Sequence, residues 1–87
     1  MSNDLSLKIS RDEALVLFDL FARFEETNRL ILRHNAEFVA LSRISAQIDK
    51  SLVEPFSPDY VLRLSQAQSR VAAGYAGSAP GVVGDGA

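Results

Sequence analysis

The sequence predicts a small α+β domain of order β-α-β-α-α, in which a two-stranded ribbon packs on helices. Three observations carry this expectation. Leu5, Leu7 and Ile9 alternate with Ser6, Lys8 and Ser10, the period of two that marks a half-buried strand. Residues 14–24 place apolar side chains around about two-thirds of a helical circumference, so this helix must be covered on several sides. A second short run, Leu30, Ile31 and Leu32, sits between Arg29 and Arg33 with β-branched content. A strand, helix, strand order makes a parallel pair with a helical crossover the natural arrangement. The alternative is an all-α three-helix bundle, which follows if residues 5–9 or 30–33 do not pair. Either way the domain spans 1–75, and a flexible Gly/Ala-rich tail spans 76–87.

Each helix has its own signals. Ser10 and Glu13 form a capping box, so the first helix starts at about Arg11 and runs to about Glu26, where Thr27 and Asn28 favour turn geometry. Asn35 caps a second helix, with Glu37 in its positive first turn. Phe38, Leu41, Ser45, Ile48 and Leu52 form its packing seam, and Val39, Ala46 and Val53 a second row that implies a second neighbour. Pro55 ends it. Ser57, Pro58 and Asp59 supply cap, N1 proline and acid for a third helix, whose inward stripe is Tyr60, Leu64, Ala67 and Val71, with Gly74 as the C′ residue.

Composition narrows the function classes. The chain has 87 residues, 47% hydrophobic and 23% charged, which is one ordinary globular domain with a thin margin of stability. Zero cysteines exclude disulfides and thiolate metal sites, and a single histidine excludes multi-histidine zinc sites, so oligomerisation is the stabilising aid that remains. The absence of cysteine, of a secretory leader pattern and of a long apolar run gives a cytoplasmic, non-membrane expectation. A net charge of −2 gives no general attraction for phosphate backbones. All five glycines lie at 74 or beyond, so no phosphate-cradling loop can be built into the folded part. No cofactor, metal or small-molecule substrate is expected.

Three surfaces compete for a role. The first is the surplus of the first helix: Phe18 and Phe21 read as core, while Val16, Leu20 and Phe24, beside the Asp19 and Arg23 pair, are expected to meet another protein chain. The second is the acid-free outer face of the third helix after Asp59, where Arg63, Gln66 and Arg70 are of the types that contact bases and phosphates. The third is His34 with Glu37, an acid-base pair without a nucleophile or oxyanion donors. The expectation is a non-catalytic protein-binding module, a small adaptor, inhibitor or immunity-type protein, homodimeric through its apolar helix surface. A nucleic-acid-binding regulator using the third helix stands second, and a small enzyme at His34 last.

Overall fold

A computed structural model describes residues 3–83. Its elements are three helices, α1 (Arg11–Thr27), α2 (Asn35–Ser51) and α3 (Tyr60–Ala72), with a 3-10 turn at Glu54–Phe56 between the last two. Among the described residues there is no strand. The expected two-stranded ribbon is therefore absent, and the all-α arrangement is the one adopted.

Both expected strands fail for want of a partner. Leu5 and Leu7 are 87% and 80% exposed, so residues 3–9 form an uncovered arm ahead of α1. Alternation specifies which side of a strand would be buried, but a strand persists only when a second backbone answers its hydrogen bonds. The run 30–33 is the connection between α1 and α2. It turns Leu30 and Leu32 partly inward and leaves Ile31 95% exposed.

The local signals for α1 hold. Ser10 Oγ accepts from the Glu13 amide at 3.0 Å, and Glu13 Oε1 accepts from the Ser10 amide at 2.7 Å, closing the capping box. The helix stops at Asn28, which adopts the left-handed conformation (φ 54°) and donates its N–H to the Phe24 carbonyl. Asparagine tolerates that conformation better than most residues, so the stop is written locally.

Three boundaries differ from the sequence reading. The N-cap of α2 is His34 rather than Asn35: its Nδ1 accepts from the Ala36 amide at 2.9 Å. α2 ends at Ser51, ahead of Pro55, because Leu52 turns into extended backbone and is itself buried. Ser57 and Pro58 form a turn, so α3 starts only at Tyr60 with Asp59 as N-cap. Gly74 follows the last turn of α3 with φ +86°.

α1 is the hub. α2 and α3 both pack on it, and α3 does so more extensively. The buried core comprises Ala14, Leu15 and Phe21 from α1, Ile48 from α2, Leu52 at its end, and Ala67 from α3. Val16, Leu17, Phe18, Leu41, Tyr60 and Leu64 pack around it. The three phenylalanines of α1 divide their work. Phe18 meets Tyr60 of α3 edge-on at 6.3 Å, Phe21 is buried, and Phe24 meets Phe38 of α2 edge-on at 6.3 Å. The second row of α2 is not buried: Val39, Ala46 and Val53 are exposed. Val71, expected in the α3 stripe, is exposed as well.

Truncating Leu15→Ala should cost about 2–5 kcal/mol, and filling the fully covered Ala67 position with leucine about 1–3 kcal/mol, both read as lower urea midpoints. A smaller effect at Leu15 would mean that α1 is not the element on which the core is built.

Candidate protein-binding groove

The exposure of the α2 seam rises steadily along the helix. Leu52 and Ile48 are buried, Ser45 and Leu41 half-buried, and Phe38 is 52% exposed. The α1–α2 contact is thus tight at the C-terminal end of α2 and opens towards its N-terminus. The opening is a groove of about 420 Å³ with Phe21, Phe24, Phe38 and Leu41 as its apolar lining. Asn28, Ser42, Ser45, Glu25 and Asp49 rim it, so the rim carries two carboxylates and no cation. The groove thus combines aromatic rings on its floor with hydroxyl, amide and carboxylate groups on its rim.

The sequence-predicted residues distribute unevenly around this feature. Phe24 lines the groove. Val16 and Leu20 lie elsewhere on α1 and are half-buried, with Val16 packed against the core. Asp19 and Arg23 form an i,i+4 ion pair of 2.8 Å on the helix surface. Phe38 is the residue that the sequence reading assigned to the core seam. Its three- and four-residue spacing was visible, but how far the seam stays closed depends on how the two helices meet.

Arg63, Gln66 and Arg70 line a shallow charged depression between α1 and α3, together with Arg11, Asp12, Glu54 and Asp59. The arginines there are engaged by carboxylates. Arg70 bonds Asp12 through two nitrogens at 2.6 and 2.9 Å, Arg11 bonds Glu54 through two at 3.1 and 2.8 Å, and Arg63 bonds Asp59 at 2.9 Å. A guanidinium already answered by a carboxylate has little left for a phosphate. These ion pairs clamp α3 and the turn that leads into it to α1.

The clamps perturb their carboxylates in a consistent direction. The Arg70 guanidinium holds Asp12 below the usual carboxylate range. Glu54 is lowered chiefly by the Arg11 hydrogen bond, with help from backbone amides. Asp59 is lowered first by the Ser57 hydroxyl and then by Arg63. Each group is more acidic in the fold than in the unfolded chain, so its contribution to stability is present above the unfolded value and lost as pH falls through the folded one.

His34 and Glu37 do not pair in a catalytic geometry. Glu37 Oε1 accepts from the Arg33 amide at 2.6 Å, while His34 spends Nδ1 on its own helix terminus. Among the described residues no three His, Cys, Asp or Glu side chains are grouped to hold a metal ion, and no helix is long and apolar enough to cross a membrane. Comparison with protein-family models, with curated proteins and with solved structures gives no match.

Stability to urea should fall modestly below about pH 4, where these exposed carboxylates take up protons. Asp12→Asn combined with Glu54→Gln should make that fall shallower. An unchanged acid limb in the double variant would show that the clamps do not hold α3 to α1.

Proposed function

We propose that this chain is a non-catalytic protein-binding module whose docking surface is the open end of the α1–α2 contact. The observation that carries the reading is the half-exposed Phe38, stacked edge-on against Phe24 at the mouth of an apolar groove. Hot spots of interfaces are enriched in aromatic anchors of this kind, set in a pocket with a polar rim. The His34 region supplies no nucleophile beside a base, which weighs against an acid-base hydrolase. Pairing of Arg63 and Arg70 weighs against a helix reading nucleic acid.

A second copy of the chain is the partner that small size favours. The accessible surface is 7462 Å², against about 5,000 Å² for a compact monomer of 9.5 kDa, and the uncovered arm of residues 3–9 and the exposed stretch after α3 contribute to the difference. A standard interface covers about 800 Å² per partner, well within that surplus. An adaptor, inhibitor or immunity-type protein works by such masking of another surface, and the cysteine-free sequence suits the cytoplasm. The preferred contact thus moves from the Val16 and Leu20 flank to the Phe24 end of the same helix.

Light scattering on a sizing column at tens of micromolar should give twice the 9.5 kDa chain mass. Phe38→Glu and, at the exposed rim, Ser42→Arg should each return the monomer with an unchanged melting temperature. Monomeric wild-type protein would remove the homodimer from this account. Unfolding in Phe38→Glu, with an unaltered dimer in Ser42→Arg, would make Phe38 a core residue instead.

A further inference from the structure

The arm ahead of α1 and the groove between α1 and α2 are each incomplete, and their chemistry is complementary. In the arm, Leu5, Leu7 and Ile9 form an exposed apolar row of period two, and the charged side chain between Leu5 and Ile9 is Lys8, with Asp4 preceding. Phe21, Phe24, Phe38 and Leu41 offer an apolar floor to such a row, beneath the Glu25 and Asp49 carboxylates. Asn28, Ser42 and Ser45 can answer the amides and carbonyls of an extended backbone that has no ladder of its own. Other exposed apolar side chains fit less well. Ile31 projects singly, since Leu30 and Leu32 on either side of it turn partly inward, and Phe56 stands between Pro55 and Ser57 on its turn.

Chain length decides which copy's arm can enter. Along α1, Phe21 lies about 16 Å from Ser10 and Asn28 about 27 Å, at 1.5 Å per residue. A fully extended arm that reversed at Ser10 would carry Ile9 only about 3 Å, Leu7 about 10 Å and Leu5 about 17 Å. Leu7 and Ile9 therefore cannot reach the groove of their own chain. Only an arm that starts from another α1 can lay the whole row along it.

We propose that two copies exchange these arms, so that residues 3–9 of each chain occupy the α1–α2 groove of the other. The inference rests on the protein-binding reading above and names the segment that binds. A two-fold arrangement with α1 helices antiparallel brings each N-terminus to the other chain's groove, and both junctions close without leaving an open filament. Exchange covers Leu5, Leu7 and Phe38 in one contact and accounts for part of the surplus surface.

The test combines an arm variant, Leu5→Ser with Leu7→Ser, and the groove variant Phe38→Glu, with mass by light scattering and folding by circular dichroism. The arm lies outside the core, so the arm variant should keep its helicity and melt normally, yet run as a monomer. Mixed in equal amounts, the two variants should recover a dimer, because the intact arm of one still finds the intact groove of the other. A dimer that persists in the arm variant but is lost in Phe38→Glu overturns arm exchange and leaves the groove as the binding surface. A chain that is monomeric throughout overturns exchange as well. For a readout that does not depend on affinity, Leu7→Cys with Ser42→Cys introduces two thiols into a cysteine-free chain. Oxidation should yield a covalent dimer, and an intrachain bridge or no bridge would contradict the proposal.

Discussion

The burial of one side of α1 has to serve two neighbours at once, and the rest of the molecule follows from how that surface is shared. Leu15, Ala14 and Phe21 are the α1 residues that leave solvent, with Phe18 and Phe24 packed to either side. α2 and α3 both rest on α1 and meet each other far less. A helix in that position cannot be amphipathic in the ordinary sense. Its wide apolar arc, which looks excessive for a small domain, is the requirement of a hub with two unequal clients.

The inequality has identifiable causes. α3 is held by an aromatic contact, a fully covered alanine that lets the helices approach closely, and the bidentate pair Arg70 with Asp12; the turn leading into it is held by Arg11 with Glu54. α2 has Ile48 and Leu52 near its end, an edge-on aromatic pair at Phe38 and, among the described residues, no comparable ion pair to α1. Exposed ion pairs contribute little individually, so the apolar side of this difference matters more than the charged side. The consequence is a junction closed at one end and open at the other. At that open end the Phe24 and Phe38 rings line a groove, with Phe38 half exposed to solvent.

What was legible in the sequence was local. Ser10 with Glu13, and Asn28 at the end of α1, were readable because a cap needs only residues within one turn. The strands were misread for the complementary reason: the alternation of Leu5, Leu7 and Ile9 is a local pattern, while a strand's existence depends on a distant backbone. The same limit hid the partners of Arg70 and Arg11, which lie on different elements. Phe24, expected at an interface, lines the groove. Phe38 was not, since its spacing is that of a buried seam and only the opening of the helix pair exposes it. Cap identity at α2 failed by one residue, because a histidine nitrogen can do what an asparagine oxygen does.

The most direct measurement of whether the open end of α1–α2 is the working surface is amide hydrogen exchange followed against protein concentration. Association through this groove should slow exchange in residues 3–9 and in the first half of α2 together as concentration rises, while α3 and the clamped face stay unchanged. Protection that does not vary with concentration, or that grows on α3 instead, would contradict the account.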